Sequence, residues 1–167
     1  MEIRKSCLDD VNHIMTLIHQ AQQYFKENGI DQWQDGYPQA NDIIQDIHQG
    51  KSYIIEDTKV IGTMYFAVED DPTYHVIDGA WKTSQQPYAV IHRIVVDENY
   101  KGQNMAHQLL MFAIKECQNN HIQSIRIDTH KDNLSMQRFL LKHGFVACGQ
   151  ITLLSGAKRI GFEKILE

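Results

Sequence analysis

Cysteine is scarce in this chain, and the three it has, Cys7, Cys117 and Cys148, are odd in number and widely spaced. That excludes a disulfide framework or a paired C-x-x-C metal site and fits a reducing compartment. Proline is equally scarce, with 3 residues beside 10 glycines, too few for a low-complexity or disordered polypeptide. No apolar run approaches the roughly 20 residues of a membrane-spanning helix. The N-terminus opens on Met1-Glu2-Ile3-Arg4-Lys5, which alternates like a strand and has no signal-peptide core. The chain therefore reads as soluble and cytoplasmic, with no membrane partner. Positive charge is also short: the formal net charge of -5 argues against a nucleic-acid surface, which needs clustered Lys and Arg. A phosphate-bearing ligand would have to be held locally, as the oriented N–H groups at a helix N-terminus can do.

What is present suffices for one domain. At 167 residues, 43% of them apolar, the chain can bury its own core without metals or cross-links, so a single domain over residues 1–167 is expected. After the first strand, Asp9 or Asp10 is positioned to cap a helix whose apolar residues Val11, Ile14, Leu17, Ile18, Ala21 and Phe25 recur every three or four positions until Gly29. The turn-forming stretch Asp31–Pro38 carries Trp33 and Tyr37 and is suited to lie over a pocket. A short helix follows from Asp42 to His48.

From Ser52 to Val68 the pattern changes to β-branched and aromatic runs broken at Glu56-Asp57-Thr58-Lys59, which predicts an antiparallel hairpin. The polar stretch Glu69–Gln86 predicts a loop or a short helix. A strand over Tyr88–Val96 leads through Asp97–Gly102 into a helix with Met105, Leu109, Leu110, Phe112, Ala113 and Cys117 on its apolar side. Beyond it come a strand at Ser124–Thr129, a helix over Leu134–Lys142 with Asn133 as its cap and Gly144 at its end, and two strands at Val146–Leu154 and Lys158–Leu166. This order predicts an α/β (α+β) fold with a mixed, largely antiparallel central sheet flanked by helices.

Two segments carry chemistry. In Lys101-Gly102-Gln103-Asn104-Met105-Ala106 a glycine turn opens a helix whose first N–H groups have no partner inside the helix. Alone this is common in ordinary folds. Preceded by His92-Arg93-Ile94-Val95-Val96, however, it resembles the cofactor-binding segment of the GNAT superfamily of N-acetyltransferases. Asp128-Thr129-His130-Lys131-Asp132-Asn133-Leu134-Ser135-Met136, running on to His143-Gly144-Phe145, resembles that family's second motif. The element order is similar too, so the resemblance extends from Ile3 to about Ile165.

The resemblance implies splayed central strands and acetyl-CoA as co-substrate. No metal is expected, because a set such as His92, Asp128 and His130 lacks any ligand-spacing signature. Main-chain groups of Ile94, Val95 and Val96 would meet the pantetheine arm and the thioester carbonyl. Lys101, Gly102, Gln103, Asn104, Met105 and Ala106 would hold the pyrophosphate, and Asn133 would contact the pantetheine region as well as capping its helix. Family members usually carry Arg or Gln at position 101, Gly at 104 and, in many cases, a proton-donating Tyr at 140. Here these are Lys101, Asn104 and Leu140, and leucine donates no proton, so Tyr88 or water is the candidate acid.

An acceptor amine with a pKa of about 10.4 is mostly ammonium at neutral pH, so a base is needed. His92, at the strand's entry to the thioester site, is the first candidate, since histidine is the residue type that most often exchanges protons near neutral pH; a histidine hydrogen-bonded within the sheet is the alternative. Trp33, Tyr37, Asp128 and His130 are candidate acceptor-site residues, the last two because positions two apart on a strand share a face. The expected activity is direct acetyl transfer to an amine of a small molecule or peptide. The alternative is a non-catalytic acyl-CoA-binding regulatory module, and a homodimer paired through a sheet edge or the C-terminal strands is an expectation of this fold.

Overall fold

The computed structural model describes all 167 residues. Its elements in chain order are β1 (Glu2–Lys5), α1 (Val11–Glu27), α2 (Ala40–His48), β2 (Ser52–Asp57), β3 (Lys59–Val68), β4 (Asp78–Gly79), β5 (Ala89–Val96), α3 (Met105–Asn119), β6 (Ser124–Thr129), α4 (Leu134–Lys142), β7 (Val146–Thr152) and β8 (Lys158–Ile165). The strands form one eight-stranded, mostly antiparallel sheet in the order β1-β2-β3-β5-β6-β8-β7-β4. No helix is long and apolar enough to cross a membrane. Two compact units can be distinguished: residues 1–66 with 92–113, and residues 67–91 with 114–167.

In the first unit, β1 and β2 pair antiparallel from Glu2↔Glu56 to Lys5↔Tyr53, and β2 and β3 form the expected hairpin with Thr58 in the left-handed region at its tip (φ 63°). The apolar stripe of α1 is buried as its spacing demands: Ile14, Leu17 and Ile18 pack with Ile43 of α2, Ile54 of β2 and Val60 of β3. Each such side chain withdrawn from water contributes about 2 kcal/mol, which makes this cluster the main reason the helices adhere to the strands. Asp10 precedes α1 as expected but does not cap it with its side chain. Its carboxylate instead accepts the Cys7 amide at 2.8 Å and two bonds from Arg4 at 2.9 and 3.1 Å, closing a 3-10 turn over Leu8–Asp10. Gly62 is required in β3, because a Cβ there would lie 2.8 Å from Ile55 Cγ2.

In the second unit, β6 pairs antiparallel with β8, β8 with β7, and β7 with β4. The parallel ladder between β5 and β6 has two rungs, Ala89↔Ile125 and Val90↔Arg126. Asn133 caps α4, its Oδ1 accepting the Met136 amide at 3.2 Å, and Gly144 takes the left-handed conformation past its end (φ 85°). The stretch predicted as a loop or short helix holds a 3-10 turn at Pro72–Tyr74 and the two-residue strand β4. That strand pairs with β7 through Gly79↔Gly149, a close backbone approach with no side-chain signature. At the core of this unit Glu163, fully buried, accepts hydrogen bonds from Ser124, Thr83, the Lys82 amide and Arg126.

Candidate active site

The site is built on β5 and the turn that follows it. Within this strand Arg93 alone has a positive φ, 48°, a conformation that costs a non-glycine residue roughly 1 kcal/mol or more and kinks a strand locally. His92 and Ile94–Val96 flank it, all half-buried. The strand then stops: the Asp97 amide donates to Ile61 O at 2.8 Å, and the Asp97 carboxylate accepts the Asn99 amide at 2.9 Å, starting a 3-10 turn over Glu98–Tyr100.

Next the backbone turns left-handed twice, at Gly102 (φ 80°) and Asn104 (φ 66°). Asparagine tolerates this region better than most residues, so Asn104 keeps a loop shape that a second glycine would also allow. The Gln108 amide donates to Asn104 O at 3.0 Å, the first turn of α3, so the Met105 and Ala106 amides precede the intrahelical ladder. A Cβ added to Gly102 would meet nothing within 4 Å. This open turn at the start of a 15-residue helix fits a phosphate-bearing ligand. Lys101 lies on the turn with its ammonium 4.2 Å from the centre of the Tyr24 ring, and Gln103 is exposed on it.

Beside the strand lies a polar cluster of the same unit. The Arg93 guanidinium donates to Asp46 Oδ2 on α2 through Nε at 3.1 Å and Nη2 at 2.6 Å, and through Nη1 to the Tyr37 hydroxyl. It also lies 4.9 Å from the centre of the Tyr65 ring, and Tyr65 packs against the His92 imidazole at 5.4 Å. Desolvation pushes the Asp46 carboxyl above its ordinary value while the Arg93 charge pulls against it. With arginine at 2.6 Å the carboxylate stays ionised at neutral pH.

The structure brings Tyr37 and His92 into this cluster. Trp33 lies outside this cluster: its ring packs edge-on against Phe25 at 5.8 Å and against the α1–α2 core, and it is half-buried there.

In the second unit the Tyr88 hydroxyl donates to Asp70 Oδ1 at 2.8 Å and accepts the Asp71 amide at 2.7 Å. Burial and the neighbouring Asp70 push it up to about 12. Asp128 accepts the hydroxyl of the buried Tyr74 at 2.7 Å. His130 falls one residue past the end of β6, and its Nδ1 accepts the Asp132 amide at 3.0 Å. Leu140 is core, 1% exposed. No group of His, Cys, Asp and Glu side chains is arranged to hold a metal ion.

Two residues of the site escaped the sequence reading. Arg93 lies inside the quoted motif but its side chain was given no role, and Asp46 was passed over as one polar position of a short helix. A signal existed for Asp46: it sits three residues after Ile43 and one before Ile47, a carboxylate placed on the apolar face.

The comparisons with known proteins agree with this architecture. The acetyltransferase (GNAT) family profile matches residues 16–145, more than three quarters of the chain. A GNAT-family acetyltransferase structure from Streptococcus agalactiae 2603 is 32% identical, with a TM-score of 0.88, over 99% of this chain and 95% of that one. A putative acetyltransferase from Staphylococcus aureus Mu50 is 22% identical with a TM-score of 0.77, each chain covered over 100%. The PaiA N-acetyltransferase from Thermoplasma acidophilum, solved in complex with coenzyme A, is 17% identical with a TM-score of 0.71 and 98% of both chains covered. The search of curated proteins returned no match. The chain belongs to the GNAT family of acetyltransferases.

Proposed function

We propose that the protein is an acetyl-CoA-dependent N-acetyltransferase that moves the acetyl group directly onto an amine of a small molecule or a peptide. The observation that carries this reading is the continuous run from the kinked strand β5 into the open, twice left-handed turn at the start of α3. Main-chain groups of Ile94, Val95 and Val96 serve the pantetheine arm and the thioester carbonyl. The turn from Lys101 to Ala106 holds the pyrophosphate, chiefly through amides, because Lys101 already has an aromatic partner in Tyr24.

In the reaction the neutral amine attacks the thioester carbonyl, the resulting tetrahedral centre expels the CoA thiolate as the C–S bond breaks, and the amine proton passes to a base. His92, half-buried beside Tyr65, is that base, directly or through water. A thiol has a pKa of about 8.5, so the thiolate leaves without a dedicated acid and takes its proton from solvent. That suits a chain with Leu140 in the core and the Tyr88 hydroxyl engaged by Asp70 and Asp71. Tyr37 stands on the acceptor side. Cytoplasmic residence and pairing of two copies belong to this reading as well.

The test is thiol release from acetyl-CoA over a panel of amines and peptides, with intact protein and His92→Ala. Turnover that is lost in the variant while CoA binding persists supports the assignment. The buried Leu140 favours a second reading, a non-catalytic acyl-CoA-binding module, and CoA binding without turnover on any amine would select it.

A further inference from the structure

Arg93 spends a buried charge in the middle of the reactive strand, and the function proposed above gives it no task. Its side chain is 14% exposed and that of Asp46 10%. Buried ion pairs rarely stabilise a fold more than apolar residues of similar size, because both charges must be desolvated. What such a pair does supply is geometry. One guanidinium here reaches helix α2 through Asp46, the 31–38 loop through Tyr37, and the neighbouring strand β3 through Tyr65. The same residue holds the strand's left-handed backbone, which persists in a non-glycine residue only where the surroundings over-determine it.

We infer that Arg93 is a positioning residue: clamped by Asp46 and Tyr37, it holds the kink of β5 and thereby fixes His92 and the main-chain groups of Ile94–Val96 in their reactive arrangement. Its action is exerted through the backbone and through Tyr65, whose ring it shares with His92. This rests on the acetyl-transfer reading, and goes beyond it in assigning a role to a side chain which that reading leaves without one.

Glycine provides the discriminating variant. Arg93→Ala removes the clamp and penalises the left-handed backbone, whereas Arg93→Gly removes the clamp and leaves that backbone accessible. In the full-length protein, acetyl transfer from acetyl-CoA to propylamine, spermidine and an alanine-terminated hexapeptide is measured alongside CoA affinity and the amide resonances of Ile94, Val95 and Val96.

The clamp predicts that Arg93→Ala lowers kcat about tenfold, the scale of one strained residue, shifts those resonances, and weakens CoA binding by a smaller factor, because the turn at Lys101–Ala106 is left in place. Arg93→Gly should lie nearer to wild type in both readouts. Asp46→Asn, isosteric and less disruptive should the alanine variant not fold, is expected to move the same resonances. An Arg93→Ala protein with wild-type kcat, or Ile94–Val96 resonances that move in none of the variants, overturns the assignment. If the wild-type protein turns over no amine, the acetyl-transfer reading fails on its own, and the resonances still decide the clamp.

Discussion

Asp46 Oδ2 accepts both Nε and Nη2 of Arg93, at 3.1 and 2.6 Å, so that two residues 47 positions apart in sequence share one buried charge pair. Removing one partner leaves the other charge desolvated and unmatched. Asp46→Ala is therefore expected to cost about 3 kcal/mol of unfolding free energy, and Asp46→Leu combined with Arg93→Met to cost clearly less than the sum of the two single changes. Urea unfolding of the wild type, Asp46→Leu, Arg93→Met and the double variant closes the cycle, with Asp46→Ala measured beside them; additive losses would mean that the pair is not coupled.

The turn at Gly102 separates ligand binding from folding. Its φ of 80° disfavours any side chain, but a Cβ there meets no atom within 4 Å, so the cost to the fold is confined to local backbone strain. Gly102→Val should lower the melting temperature by only a few degrees, the equivalent of about 1 kcal/mol. CoA affinity should fall about tenfold or more, since a branched side chain then occupies the space in front of the helix amides. Calorimetric titration with CoA measures this directly, and unchanged affinity would remove the turn from the binding site.

Glu163 gives the second unit a dependence on pH. Burial pushes its carboxyl up, but hydrogen bonds from Ser124, Thr83 and the Lys82 amide, with the charge of Arg126, outweigh that and hold it below the usual carboxylate range. A depressed pKa in the folded state means that the unfolded chain binds the extra proton more readily. The stabilisation is thus complete above the ordinary glutamate value of 4.5 and is lost as pH falls from there through the folded value. Glu163→Gln should be less stable at pH 7 by about 3 kcal/mol, because Arg126 is left buried without its counter-charge. Its stability should also fall less between pH 6 and pH 3 than that of the wild type, which urea titrations at a series of pH values would show.

How much of this was legible beforehand depended on the range of the interactions involved. The three- and four-residue spacing of Ile14, Leu17 and Ile18, the cap at Asn133 with Gly144 at the far end, and the turn at Gly102 are local signals, and each predicts its element closely. β4 is invisible at that level, because Asp78–Gly79 becomes a strand only where Gly149 faces it from β7, 70 residues away. The same holds for the site. His92 and Tyr37 are recognisable by residue type, but the guanidinium that links Tyr37 to Asp46, the left-handed backbone of Arg93 and the turning of Trp33 into the α1 core all arise from tertiary contact.

Gly149 offers a test of that long-range pairing. A Cβ on it would come within 2.2 Å of Asp78 O, and one on Gly79 within 2.2 Å of Cys148 O, so the two glycines admit each other's backbone and nothing larger. Both also hold positive φ, at 151° and 136°. Gly149→Ala should cost roughly 2–3 kcal/mol by forcing β4 off β7. Amide exchange at Ala80, whose N–H donates to Cys148 O at 3.1 Å, should accelerate in step, and protection retained there would show that β4 does not depend on this approach.

Thr129 closes β6 with its side chain in the core, 1% exposed, and no other group of the protein hydrogen-bonds its buried hydroxyl. An unsatisfied hydroxyl loses its hydration on folding and recovers nothing, a cost of about 1–3 kcal/mol. Valine has nearly the same shape, keeps the β-branched preference for a strand, and carries no group to desolvate. Thr129→Val should therefore raise stability by about 1 kcal/mol, which for a chain of this length lifts the melting temperature by roughly 2–4 °C. Destabilisation in a thermal scan would mean that the hydroxyl has a partner after all, an ordered water being the simplest. A gain in stability coupled to weaker CoA binding would mean instead that the hydroxyl is kept for the ligand.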